Sequence, residues 1–320
     1  MINRTMACII VLACTLLTNA NADTYPQNSV TIVVPFAAGG SVDIVGRLIA
    51  EGLQKKLGQP FIISNRSGAN SRIGTQYVAK AKPDGYTLLL YSGSFLTNPS
   101  TQKNLPYDTL KDFSPVAMLG ENANVLLVST KLGVNGLQDF IKLAKEHPGK
   151  LTYGSSGVGG SLHLAGELLQ DVTKIELHHV PYKGTGEMFP DLISGVIDSA
   201  VVSTASGIPF VKAGQIKALA ITSAARVPSL PDVPTFTELG IALRTSVPYG
   251  IVAPAGTPPE VIARLSQAIS EILDSKDLKE RFSHEEIQPI FRTPTETTEY
   301  IHAEITHYAD IVKKAGIESQ

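Results

Sequence analysis

Two hydrophobic periods alternate along this chain. Short, mostly apolar runs at residues 30–34, 61–64, 87–91, 151–153, 178–181, 197–202, 218–222 and 250–253 read as buried strands. Between them, apolar residues recur at helical spacing. Ile44, Val45, Leu48, Ile49, Leu53 and Leu57 predict a helix over 42–57, and the same pattern predicts helices near 73–81, 137–146, 164–169, 188–194, 208–213 and 258–273. Gly58-Gln59-Pro60 and Lys82-Pro83-Asp84-Gly85 punctuate the early elements. Thr293-Pro294-Thr295-Glu296 is a capping box that opens a last helix burying Tyr300, Ile301, Ile305, Tyr308 and Val312. Strands alternating with helices predict an α/β class with parallel or mixed sheets and right-handed crossovers.

The order of elements predicts two lobes. Short strands at 116–118 and 125–128, separated by Gly120-Glu121-Asn122, mark a first crossing, and the strand at 218–222 marks the return. Half a lobe, a whole lobe and the rest of the first lobe then follow one another, as 23–122, 123–221 and 222–320, with a hinge of two strands. Ligands of such sheets lie beyond the carboxyl ends of the strands.

Two of those ends share a pattern. Val33-Val34-Pro35-Phe36-Ala37-Ala38-Gly39-Gly40-Ser41-Val42-Asp43 is an apolar run, a glycine pair and a helix start, with Ser41 as the expected N-cap. Tyr153-Gly154-Ser155-Ser156-Gly157-Val158-Gly159-Gly160-Ser161-Leu162-His163 repeats it. A strand, a glycine turn and a helix N-terminus present free backbone N–H groups and a positive dipole end to an anion. Two such turns, one in each lobe, suggest two amide nests offered to one ligand. Either turn alone also fits an ordinary loop that needs positive φ.

Charge and cysteine content narrow the function. The formal net charge of −2 argues against a nucleic-acid binder. Arg4, the apolar stretch from Ala7 to Leu17 and Ala20-Asn21-Ala22 read as a signal peptide over 1–22 cleaved after Ala22, which predicts export to the periplasm. Val11-Leu12-Ala13-Cys14 is a poor version of a lipoprotein signal. Both cysteines, Cys8 and Cys14, fall in this segment, so the mature chain has no disulfide and no thiol ligand or nucleophile. No later run is long and apolar enough for a transmembrane helix.

Enzyme motifs are sparse. Neither G-x-x-x-x-G-K-[ST] nor G-x-G-x-x-G occurs, and Gly154-Ser155-Ser156-Gly157-Val158 is not G-x-S-x-G. His178 and His179 are adjacent in an expected strand and should face opposite ways, which disfavours a shared metal. No cofactor is expected. Ser155 and His163 could form a Ser–His pair, with no orienting acid in the pattern, so a serine-type carboxylic-ester hydrolase is the lesser alternative.

Several segments, taken in order, resemble one family. The first glycine turn, Lys82-Pro83-Asp84-Gly85-Tyr86-Thr87, Leu105-Pro106-Tyr107-Asp108, Lys111-Asp112-Phe113, Tyr153-Gly154-Ser155-Ser156-Gly157, Val180-Pro181-Tyr182-Lys183-Gly184, Leu230-Pro231-Asp232-Val233-Pro234-Thr235 and Ala253-Pro254-Ala255-Gly256-Thr257-Pro258 are similar to those of the substrate-binding receptors of tripartite tricarboxylate transporters, the Bug receptors. The resemblance implies a type II periplasmic binding protein-like fold, two-lobed and monomeric. It implies closure on a small carboxylate and delivery to integral membrane transporter subunits, one large and one small. A sensor feeding a membrane signalling protein is equally compatible with the sequence. Two departures stand out: Pro248-Tyr249-Gly250 replaces the frequent Trp-Phe-Gly, and Ser203-Thr204 stands where an aromatic and an acid are common.

The family holds its ligand between the two turns, which matches the amide-nest argument. Backbone N–H groups of Gly39, Gly40 and Ser41, and of Ser156, Gly159, Gly160 and Ser161, are the expected donors, with the hydroxyls of Ser92, Ser155 and Ser161. Asp43 could accept from a ligand ammonium or hydroxyl, or stabilise its own helix. Phe36 could wall the cleft, or serve as core. His163 could donate to a carboxylate, or be structural. Lys183 could draw anions, or be simply solvated.

Overall fold

The computed structural model describes residues 25–182 and 184–317. Strands β1 (Val30–Val34), β2 (Phe61–Asn65), β3 (Thr87–Tyr91), β4 (Phe113–Ser129), β5 (Thr152–Ser155), β6 (His178–Pro181), β7 (Ser199–Ser203), β8 (Ile216–Ile221), β9 (Ser246–Pro254) and β10 (Ile287–Arg292) line up as β2-β1-β3-β9-β4-β7-β5-β6, with β10 and β8 also paired to β4. The helices are α1 (Ser41–Leu57), α2 (Arg72–Ala79), α3 (Gly93–Thr101), α4 (Leu137–Glu146), α5 (Ser161–Thr173), α6 (Thr185–Ser194), α7 (Thr204–Lys212), α8 (Pro259–Asp274), α9 (Lys276–His284) and α10 (Pro294–Lys314). The architecture is the expected two-lobed α/β fold, and its sheet is mixed. β1 is parallel to β2 and β3, and β5 is parallel to β6 and β7, whereas β9 is antiparallel to both β3 and β4.

One strand runs through both lobes. The first half of β4 pairs with β9 and β10, and the second half, from Asn124, pairs with β7 and β8. The two short strands expected around Gly120 are therefore one strand of 17 residues. Gly120 takes φ +157° where the register with β9 slips, so the glycine marks a bulge, not a turn. A polar knot closes the crossing. Asn124 N–H donates to Thr222 Oγ1 (2.9 Å), Asn124 Nδ2 donates to Thr245 Oγ1 (2.9 Å), and Thr222 Oγ1 donates to Thr245 O (2.5 Å).

Each sheet is covered on both faces because its strands alternate in what they bury. In the first lobe Ile32, Val34, Leu88 and Leu90 pack with α1, α8 and α9, while Val33, Leu89 and Tyr91 pack with Phe95 of α3 and with Ile301, Tyr308 and Val312 of α10. In the second, Leu126, Val128 and Val201 meet α4 and α5, and Val125, Leu127 and Val202 meet α6 and α7. Phe236 and Leu243 also join this second-lobe core. The capping box of α10 is present: Thr293 Oγ1 accepts from Glu296 N–H, and Thr293 N–H donates to Glu296 Oε2 (2.8 Å). Thr257 does not cap α8; its hydroxyl donates to Pro254 O (2.8 Å), and Pro258 is the N-cap. Among the described residues no helix is long and apolar enough to cross a membrane.

Candidate ligand-binding cleft

Strands β1 and β3 run opposite to β5 and β7, so their carboxyl ends face each other across the edge where the lobes meet. Five helices begin along that edge or just beside it: α1, α3, α5, α6 and α7, with Gly40, Ser92, Gly160, Gly184 and Ser203 as N-caps. None of these N-caps makes a side-chain cap hydrogen bond, whereas α9 and α10 are capped by Ser275 and Thr293. The first N–H groups of such helices have no intrahelical partner, so the edge is a concentration of free donors and positive dipole ends.

The two glycine turns have nearly the same backbone. Gly39 and Gly159 take φ +84° and +73°, and Gly40 and Gly160 lie at φ −80°, ψ 167° and φ −74°, ψ 162°. Only glycine takes the positive φ without strain. Ser41 and Ser161 are therefore the first helical residues, and the cap position expected for Ser41 belongs to Gly40. Each turn is fixed the same way. Gly39 N–H donates to Asp43 Oδ2 (2.9 Å), and Gly159 N–H donates to His163 Nδ1 (3.0 Å), four residues on in both cases.

Asp43 is buried and fully engaged. It also accepts from Arg47 Nε (2.9 Å) and Nη2 (3.2 Å) and from Asn65 Nδ2 (2.8 Å), and Asn65 Nδ2 reaches Phe36 O (3.2 Å) as well. Burial works against its charge, but the bonds from Arg47, Gly39 and Asn65 outweigh this and hold the carboxyl below its usual range. Asp43 thus shapes the turn. Phe36 is half-buried and packs on the first-lobe core, and residues 37–40 stand exposed. The Ser41 hydroxyl pairs with that of buried Tyr249, which donates to Asn122 Oδ1.

In the second lobe the turn rests on stacked rings. His163 and His179 lie face to face with centroids 3.9 Å apart, and the Tyr153 ring lies against both, 4.8 Å from His179 and 6.3 Å from His163. Ser155 Oγ is 2.7 Å from His179 Nε2, and Gly157 N–H donates to Ser155 Oγ (3.2 Å). The Tyr153 hydroxyl donates to Glu167. Burial lowers both imidazoles to about 4, with the neighbouring histidines adding to the effect on His179, so both are neutral at pH 7. The Ser–His pair is thus made by His179 rather than His163. Ser155 is fully buried and serves the turn.

The remaining expected residues are also placed. Ser156 and Gly160 are half-buried, and Ser92 is buried at the end of β3. Lys183 and residues 1–22, where a signal peptide is expected, lie outside the described residues. His178 is exposed and His179 turns inward, as strand alternation requires. Sequence reasoning did not find His179, α3, or the Asn124 knot. It noted Ser203 and Thr204, which sit at the end of β7, where Ser203 Oγ lies 2.8 Å from Ser206 Oγ and Thr204 Oγ1 donates to Ala123 O (3.2 Å). Among the described residues, no group of three or more His, Cys, Asp or Glu side chains could hold a metal ion.

Two lobes on a shared strand, with uncapped helix starts facing one cleft, are the frame of a solute-binding protein. Residues 45–317 match the tripartite tricarboxylate transporter family receptor, and the chain belongs to that family. It is 37% identical to the protein BugT of Bordetella pertussis over 299 residues, 92% of each chain. A Rhodopseudomonas palustris protein solved with adipate superposes with TM-score 0.83 at 34% identity, covering 92% of this chain and 99% of that one. MatC from the same organism, solved with bound malate, gives 0.77 at 33% identity over 90% and 100%.

Proposed function

We propose that this chain is a periplasmic receptor that holds a small organic acid between the two glycine turns and presents it to the integral subunits of a tripartite transporter. The reading is supported above all by the uncapped starts of α1 and α5, which face the cleft from opposite lobes on matching backbones. A carboxylate received by backbone N–H groups makes charge-assisted bonds worth about 1.5–3 kcal/mol each. Arg47, the cation beside the first turn, is committed to Asp43 and does not compete for the ligand. Two nests favour a ligand with two carboxylates, and the relatives solved with adipate and malate bind acids of that kind. Export through the signal peptide and a monomeric state belong to the same proposal. We read Ser155 and His179 as structural and the chain as a receptor without catalysis. Because Phe236 and Leu243 pack in the second-lobe core, we place the return between the lobes near Thr245 rather than at 222.

The test uses proline. Ser41 and Ser161 are first helical residues preceded by extended glycines, a setting that accepts proline and loses only one N–H. A thermal-shift panel of mono-, di- and tricarboxylates identifies a ligand on the wild-type chain. Ser41→Pro and Ser161→Pro should then bind it at least 10-fold more weakly than Ser41→Ala and Ser161→Ala, with the compound recovered unchanged. Equal affinity in the folded proline and alanine variants would sink the reading.

A further inference from the structure

One face of α5 belongs to the other lobe. Ser161, Leu164, Leu168 and Asp171 follow at spacings of three and four, so they form a single stripe. Each meets the first lobe. A Cβ on Gly93 of α3 would lie 3.0 Å from Ser161 Oγ. Leu164 is fully buried within the first-lobe cluster of Phe95, Leu96, Tyr308, Ile311 and Val312, and Leu168 packs against both that cluster and the core of its own lobe. Asp171 Oδ2 lies 3.8 Å from Lys314 Nζ at the end of α10. The opposite face, Ala165 and Leu169, serves the core of its own lobe. Next to this stripe, Gly159 stands where a Cβ would be 3.0 Å from Thr101 Cβ.

We propose that this stripe is a closing face: a seam that runs from the ligand end of α5, at Ser161, through Leu164 and Leu168 to Asp171, that favours the closed arrangement before any ligand arrives, and so sets ligand affinity through the open–closed balance. Separating the lobes about the β4 crossing exposes Leu164 and Leu168 to water, and that exposure opposes opening. A receptor that is already largely closed loses little of its intrinsic affinity to the closing step, and one whose seam is weakened loses more. The stripe depends only on the two-lobed fold and not on which acid binds, so it can be tested without a ligand.

The experiment is small-angle scattering on the ligand-free chain, with circular dichroism to establish that each variant is folded. Leu164→Ala and Leu168→Ala remove apolar area from the seam, and Lys314→Glu sets like charges against Asp171 and Asp310. The expected result is a larger radius of gyration than wild type, with the two leucine variants shifting the open-to-closed ratio by roughly 10-fold. Once a ligand is known, its affinity should weaken in step while its saturated complex scatters like wild type. If Leu164→Ala does not fold, Gly93→Val is read in its place, since it adds bulk against Ser161 at a first helical position that tolerates a side chain. Folded variants whose ligand-free scattering equals that of wild type overturn the proposal. A carboxylate panel without hits would count against the proposed function and leave this result standing.

Discussion

Gly159 and His163 are joined by a hydrogen bond in which the backbone N–H donates to the imidazole Nδ1 at 3.0 Å. The bond fixes the tautomer, since an accepting Nδ1 leaves the proton on Nε2. It also copies what Asp43 does for Gly39 with a carboxylate. The same turn is held in one lobe by an anion that Arg47 offsets and in the other by a neutral ring.

The first prediction concerns that ring. His163→Asn keeps a short acceptor near Gly159, and His163→Leu removes it. Loss of the acceptor leaves a turn N–H without its partner, at a cost of about 1–3 kcal/mol. Titration calorimetry with the identified acid should show His163→Leu binding about 5- to 100-fold more weakly than wild type, with His163→Asn between the two.

Acid should unfold the chain through the same pair. Unfolded, each imidazole takes up a proton near pH 6.5; folded, His163 and His179 do so only near about 4. Between these values the unfolded state binds more protons, so stability is complete above pH 6.5 and is lost as pH falls toward 4. The slope for each histidine is at most about 1.4 kcal/mol per pH unit. Melting curves from pH 7 to 4 should fall steadily, and His179→Gln should flatten the decline.

Crowding under the stack gives a third prediction. A Cβ on Gly166 would lie 2.3 Å from the Tyr153 ring, which itself stacks on His179. Gly166→Ala should destabilise the chain by about 1–3 kcal/mol, read as a lower denaturation midpoint. Tyr153→Leu combined with Gly166→Ala should recover part of the loss, because the obstructing ring is gone.

A capping variant supplies the contrast. Thr293→Ala removes the cap of α10 far from the glycine turns and should cost about 0.5–2 kcal/mol of stability. Calorimetry should return unchanged affinity for the acid.

What could be read beforehand follows from what each residue type permits. Glycine pairs after an apolar run announce a turn with positive φ, so both turns were legible, and so was the capping box at Thr293. The cap at Ser41 was misplaced by one residue, because the glycine before it already supplies the extended backbone. Helix α3 was hidden by its own composition: Ser94, Thr97, Asn98, Pro99 and Ser100 are poor helix formers held by burial and by tertiary bonds such as Asn98 Nδ2 to Tyr107 OH (3.2 Å). Alternation correctly turned His178 and His179 to opposite faces, but it carries no information about what lies across the sheet, so the stack on His163 could not be foreseen. Gly120 resembled a turn because a bulge and a turn ask the same thing of the backbone.

The length of β4 has one more consequence. Its 17 residues serve as a sheet strand for both lobes, and no flexible linker separates the part that pairs with β9 from the part that pairs with β7. Loss of either sheet strips hydrogen bonds from a strand that the other still needs. The lobes therefore melt together, and scanning calorimetry of the whole chain should record a single endotherm whose calorimetric and van't Hoff enthalpies agree.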